Sequence, residues 1–143
     1  MEALHIVCPH CGGINRIPAD KNAASANCGK CHQPLFTGQA VDVDGTQFSK
    51  HLQKNDIPVI VDFWADWCGP CKILGPVITQ AAAQLEPRVR FLKVNSDQHQ
   101  ALAGQYSIRG IPTLILFKHG KEIDRQSGAM DLPSLRRWIE NTI

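Results

Sequence analysis

The sequence predicts an α/β architecture, a mixed central sheet with helices on both faces, preceded by a small module stapled through four cysteines. Three observations carry this. After about residue 40, short apolar, β-branched runs alternate with longer helical patterns. Cys8, Cys11, Cys28 and Cys31 form two Cys-x-x-Cys pairs in a stretch too poor in apolar residues to build a core. The pair Cys68 and Cys71 falls where a strand hands over to a helix.

Composition narrows the function classes. The chain has 143 residues, 43% of them hydrophobic and 20% charged, enough for one well-cored domain with an appendage. Fifteen basic against thirteen acidic residues leave a formal charge of +2, with no basic stripe, so neither nucleic acid nor a membrane surface is expected as a partner. No apolar run approaches the ~20 residues that span a bilayer. Residues Met1 to Val7 lack the basic and long apolar regions of a signal peptide. Six cysteines without such a leader point to a reducing, cytoplasmic setting, where cysteines serve metal binding and redox chemistry.

The first module, residues 1–36, carries Cys8-Pro9-His10-Cys11-Gly12-Gly13 and Cys28-Gly29-Lys30-Cys31-His32, with sixteen residues between the pairs. Two cysteines three apart offer both sulfurs to one ion, and the glycines relax the tight turn this needs. The spacing fits a four-cysteine zinc ribbon, a closed structural site holding one zinc ion whose binding free energy becomes folding free energy. Two disulfides, or His5, His10 or His32 replacing a cysteine, are the alternatives. Ile14 to Pro18 supplies one short strand, and Ala23 to Asn27 reads as a loop. Thr37-Gly38-Gln39 is a short linker that leaves the ribbon close to the second module with some freedom.

The second module spans residues 40–143. Ala40 to Val43 is a plausible edge strand, and Thr46 to Lys54 a helix with Phe48, His51 and Leu52 on one side. Val59 to Trp64 is too short for a helix and reads as a buried strand. The following helix runs to Leu85, with Pro76 placed to kink it. Val89 to Val94 is the next strand, so strand, helix and strand form a right-handed parallel unit. Gln98 to Tyr106 is a short helix, Leu114 to Phe117 a buried strand, and Lys121 to Gln126 its antiparallel partner after His119-Gly120. Asp131 caps a last helix in which Leu132, Leu135 and Ile139 follow helical spacing.

A helix that starts at a Cys-x-x-Cys turns its free N–H groups and positive dipole end on the first sulfur. That favours thiolate, the nucleophilic form. Pro70 fits the first helical turn, where a missing N–H matters little, and Gly69 lets a partner chain come close.

Val61-Asp62-Phe63-Trp64-Ala65 running into Trp67-Cys68-Gly69-Pro70-Cys71-Lys72 resembles the active site of the thioredoxin family. The likeness extends over the whole second module. With the ribbon, the chain resembles the zinc-ribbon-bearing branch of the bacterial thioredoxins. That resemblance implies a thioredoxin fold and a protein-disulfide reductase. Cys68 would attack a substrate disulfide and Cys71 would resolve the mixed disulfide. Asp62, a carboxylate within an apolar strand, would take the proton of Cys71. Lys93 matches the family's lysine near that acid. Pro112 would be the cis-proline beside the dithiol, with the Ile111 backbone pairing with an extended substrate. Gly128 would keep the neighbouring loop open, and Trp67, Gly69 and Pro70 would complete the landing surface. The partners implied are disulfide-bearing proteins and an NADPH-dependent flavin thioredoxin reductase, with the chain acting as a monomer. A redox sensor or holdase, and a ribbon-led interaction module, are the rival classes. For a reductase, removing the residues before Thr37 is expected to leave most activity.

Overall fold

The computed structural model describes residues 3–143. The first module is a hairpin with two knuckles. Strand β1 (Leu4–Val7) pairs antiparallel with β2 (Ile14–Ile17), and the first knuckle forms the turn between them. Sequence reading supplied only the second of these strands. Leu4 to Val7 carries too short an apolar pattern to announce itself, and its burial comes from tertiary packing: Ile6 and Val7 are fully buried. Ala23–Ser25, expected as loop, forms one turn of 3-10 helix capped by Asn22, whose Oδ1 accepts the Ala24 N–H at 3.0 Å.

The second module is built on a five-stranded sheet of order β3-β5-β4-β6-β7. Its strands are β3 (Val41–Asp42), β4 (Val59–Trp64), β5 (Arg90–Asn95), β6 (Thr113–Lys118) and β7 (Lys121–Ser127). The first three run parallel, while β6 and β7 are antiparallel additions, so the sheet is mixed. Four helices cover it: α1 (Gly45–Lys54), α2 (Gly69–Leu85), α3 (Gln100–Gln105) and α4 (Leu132–Thr142). Local chemistry explains the helix starts. Asp44 accepts the Gln47 N–H at 2.8 Å while Gln47 accepts the Asp44 N–H at 3.0 Å, a reciprocal capping box. Asp131 caps α4 through the Ser134 N–H at 2.9 Å. α2 continues as one helix through Pro76.

Period-two alternation divides the apolar side chains of the sheet between two cores. Ile60, Phe91, Leu114 and Leu116 pack under α2 and α4, against Leu74, Ile78, Leu135 and Ile139. Val61, Phe63, Leu92, Val94, Ile115 and Phe117 pack against Phe48 and Leu52 of α1 and Ala103 of α3. Helices therefore lie on both faces.

The ribbon is docked on the second module. Ile57, just before β4, joins Ile6, Ile17, Leu35 and Phe36 in one buried cluster. Arg90, the first residue of β5, is 0% exposed. Its Nη2 donates to the carbonyl oxygens of Val7 at 3.1 Å and Leu35 at 2.8 Å, and its guanidinium stacks 4.5 Å from the Phe36 ring centre. The Val7 N–H donates in turn to Asn55 Oδ1 at 2.8 Å. The His5 N–H donates to Asp56 Oδ2 at 2.7 Å. Within the expected linker, the Gly38 N–H donates to Glu86 Oε1 at 2.8 Å, so this segment is held against the end of α2.

A redox dithiol at a helix start and a four-sulfur cluster

β4 ends under the start of α2, and the loop between them delivers Cys68 to the N-cap position. Cys68 and Cys71 are joined as a disulfide. The Cys71 N–H points at Cys68 Sγ from 3.2 Å, one of the free donors of the first helical turn. That donor and the helix dipole favour a thiolate on Cys68 once the bond is reduced. Pro70 lies in the first turn of α2, as its lack of an N–H allows. With the disulfide closed, Cys68 and Cys71 are 3% and 6% exposed. Neither residue is open in this state, and the segment before β6 leans over the first: Cys68 Sγ lies 3.6 Å from the Ile111 carbonyl oxygen. Position on the helix, not exposure, sets the two sulfurs apart.

Around the dithiol the structure gathers the other residues singled out from sequence. The Ile111–Pro112 peptide is cis. The Gly128 N–H donates to the Pro112 carbonyl at 2.9 Å, which draws the loop after β7 beside this segment. Gly128 has φ +90°, where only glycine is unstrained, and a Cβ there would meet open space. Gly69 is likewise open on its Cβ side. Trp67 is 70% exposed for so large a ring. Its Nε1–H donates to Asp97 Oδ2 at 2.8 Å, which fixes its orientation. Asp97 was not singled out from sequence, and an exposed loop aspartate thirty residues away carries no readable signal. A groove lined by Trp67, Ala103, Gly104, Ile108, Arg109 and Ile111 adjoins this surface.

Asp62 sits in the middle of β4, 3% exposed, and its Oδ1 has no hydrogen-bond partner. Burial pushes its carboxyl up to about 7, against the pull of Lys93 and with a smaller push from Asp42. Lys93 is its register partner on β5, and the Lys93 Nζ rests 4.6 Å over the Trp64 ring.

The second cluster is the ribbon's. The sulfurs of Cys8, Cys11, Cys28 and Cys31 all lie within 4.8 Å of one another. Cys8 and Cys31 are 3.6 Å apart, as are Cys11 and Cys28. Sulfurs held tetrahedrally at ~2.3 Å from a zinc ion sit about 3.8 Å apart, so the donor set fits such an ion. Each knuckle aims N–H groups at its sulfurs: His10 at Cys8 from 3.3 Å, Gly13 at Cys11 from 3.3 Å, Lys30 at Cys28 from 3.4 Å. The Asn15 amide adds another to Cys28 at 3.5 Å, and its Oδ1 accepts the Gly29 N–H at 2.8 Å, bracing one knuckle from β2. The knuckles are matched in backbone: Gly12 and His32, each one residue past the second cysteine, have φ +75° and +68°. His32 thus serves as the turn residue of its knuckle. His5 instead pairs with Asp56 at 3.0 Å, and neither histidine joins the sulfur cluster.

Residues 39–141 match the family model described as thioredoxin. The chain belongs to the thioredoxin family. Residues 7–33 match a second model, a zinc-ribbon family described as thioredoxin 2, N-terminal. Thioredoxin C-3 of Corynebacterium nephridii is 38% identical over 138 residues, 96% of this chain and 94% of that protein, so the match runs through both modules. The thioredoxin of Rickettsia felis is 42% identical over 104 residues, 73% of this chain and 99% of that protein, the length of the catalytic module. Among solved structures, a mutant thioredoxin from Halobacterium salinarum aligns with TM-score 0.68 and 36% identity over 75% of this chain and 93% of its own. Membership in the family makes the chain a thiol–disulfide oxidoreductase that exchanges electrons with protein disulfides through Cys68 and Cys71. The ribbon's cysteines form a metal-binding cluster. No helix among the described residues is long and apolar enough to cross a membrane.

Proposed function

We propose that Cys68 is the attacking nucleophile and Cys71 the resolving thiol of a protein-disulfide reductase, with Asp62 as the proton acceptor. The observation that carries this is the placement of Cys68 at the N-cap of α2, receiving the Cys71 N–H, with Asp62 buried in the strand below. The Cys68 thiolate attacks one sulfur of a substrate disulfide and expels the other as a thiolate. The Cys71 thiol gives its proton to the Asp62 carboxylate and attacks Cys68 Sγ, releasing the second substrate sulfur. Two electrons have then passed to the substrate, and Cys68 and Cys71 are joined. Trp67, Gly69, Pro70, Ile111, Pro112 and Gly128 form the landing surface, where an extended substrate strand pairs with the Ile111 backbone.

The first module, residues 1–36, holds one zinc ion on Cys8, Cys11, Cys28 and Cys31. Four thiolates close the tetrahedron, so the ion is structural, with no position open to substrate. Residues 37–39 join it to the catalytic module of residues 40–143. The reductant is an NADPH-dependent flavin thioredoxin reductase, and the chain works as a cytoplasmic monomer. The test is a coupled assay with NADPH, such a reductase and a disulfide-bonded protein. Wild type turns over and Cys68→Ser does not. Cys71→Ser accumulates a mixed disulfide between Cys68 and substrate. If Cys71→Ser yields no adduct while Cys68→Ser does, the two sulfurs have the opposite roles.

A further inference from the structure

Strand register sets three charged residues in one row across the sheet. Asp42 of β3 lies directly opposite Lys93 of β5, and Lys93 lies directly opposite Asp62 of β4. Side chains alternate along a strand. Ile60 and Phe91 belong to the core under α2, so Asp62 and Lys93, two residues further along each strand, share that face. On β3, Val41 and Val43 pack into the opposite core, which turns Asp42 to the α2 side as well. Asp42 and Lys93 line one open cleft of about 370 Å³ with Trp64, Asp66, Asn95 and His99. Lys93 rests over the Trp64 ring, and among the described residues it forms no close ion pair with either carboxylate. One ammonium, closely paired with neither, therefore stands between two acids, one buried and one exposed.

We propose that Asp42 is a positioning residue for the redox reaction: it competes with Asp62 for the ammonium of Lys93 and so sets the pH at which the buried acid can take the thiol proton. This rests on the reading of Asp62 as proton acceptor for Cys71. The remaining groups on this face are few. α2 brings Cys68, Cys71 and, on its exposed side, Lys72; β6 brings Leu114, which is uncharged; Asp66 and His99 line the cleft. Asp42 differs from the charged and titratable groups among these in sharing the register row of the lysine. Two strand spacings, about 10 Å, separate it from Asp62. A unit charge at that distance, with an effective dielectric between water and protein, moves a neighbour's titration by about 0.3 to 1 pH unit. Freeing Lys93 to lean toward Asp62 acts in the same direction.

The experiment follows the Asp62 side-chain carboxyl by carbon NMR in the oxidised full-length protein, alongside the pH profile of disulfide reduction. Asp42→Asn is expected to lower the Asp62 midpoint by about 0.3 to 1 pH unit, and Asp42→Glu to restore it. In a Lys93→Met background the effect of Asp42→Asn is expected to shrink to the direct charge effect alone, smaller than in the presence of the lysine. An unmoved Asp62 midpoint in Asp42→Asn overturns the proposal, and so does an undiminished effect in the Lys93→Met background. If the midpoint moves but the rate profile does not, the competition for Lys93 stands and the role of Asp62 as proton acceptor falls.

Discussion

Replacing Arg90 with methionine tests how the two modules are joined. Methionine keeps much of the apolar stem but removes every donor. The Arg90 and Glu86 side chains are 1% and 4% exposed, with Nη1 and Oε2 3.9 Å apart. Without the guanidinium, the Val7 and Leu35 carbonyls each lose a donor in a buried interface, at about 1–3 kcal/mol per buried group left unmet. Glu86 also loses its counter-charge, and removing one partner of a buried pair typically costs about 3–5 kcal/mol. These contributions overlap, so the expected loss is about 3–5 kcal/mol, or roughly 10 °C or more in Tm for a chain of this size. Urea unfolding of wild type, Arg90→Met and Arg90→Met/Glu86→Gln reads it, followed by Trp fluorescence for the catalytic module and metal release for the ribbon. The double variant is expected to recover part of the loss, because the stranded carboxylate is gone. A loss under about 1 kcal/mol in Arg90→Met would refute the reasoning, showing that water already serves those carbonyls.

Asp62→Asn is expected to stabilise the protein at alkaline pH. The Asp62 carboxyl is raised by burial to about 7, so its contribution is fully favourable below the ordinary carboxylate range and is lost as pH rises through 7. The difference approaches about 4 kcal/mol well above pH 7, and equal pH dependence of the two proteins between pH 5 and 9 would contradict it. His51, buried and bonded to Asn55 at 2.8 Å, behaves oppositely: burial, with the charges of Arg90 and Lys50, pulls its imidazole down to about 3. Its contribution is present above pH 6.5 and drains away as pH falls toward 3, so His51→Gln should flatten the acid limb of a stability curve. Stripping the metal with a chelator should unfold the ribbon and lower the Tm of the whole chain; in Arg90→Met the same treatment should leave the catalytic module's transition nearly unmoved.

Much of this was legible in the sequence because the chemistry is local. The Cys68–Cys71 turn, the four-cysteine knuckles and the strand-to-helix handover each depend on residues a few positions apart. Asp62 could be seen because an acid inside an apolar run is out of place. Arg90, between Val89 and Phe91, breaks its strand in the same way, and that was the missed signal for the docked ribbon. Its partners Val7 and Leu35 lie 83 and 55 residues away and contribute only backbone oxygens, which no side-chain pattern encodes. Asp42 opposite Lys93 was equally hidden, since it depends on strand register. The docking also changes the expected outcome of removing residues before Thr37. Truncation would uncover Ile57 and strip Arg90 of its acceptors, so any lost activity would have to be separated from lost stability.

Val7 has both of its backbone hydrogen bonds claimed by the catalytic module, one by Asn55 and one by Arg90, and it is covalently next to Cys8. The ribbon is therefore a poor candidate for grafting. Fused to a thioredoxin that lacks an arginine at the head of β5 and an asparagine at the end of α1, it would leave the Val7 amide and carbonyl without their partners. The same two positions, Asn55 and Arg90, tie the residue beside Cys8 to the sheet, so the backbone leading into the metal-binding knuckle is set by the module it docks on.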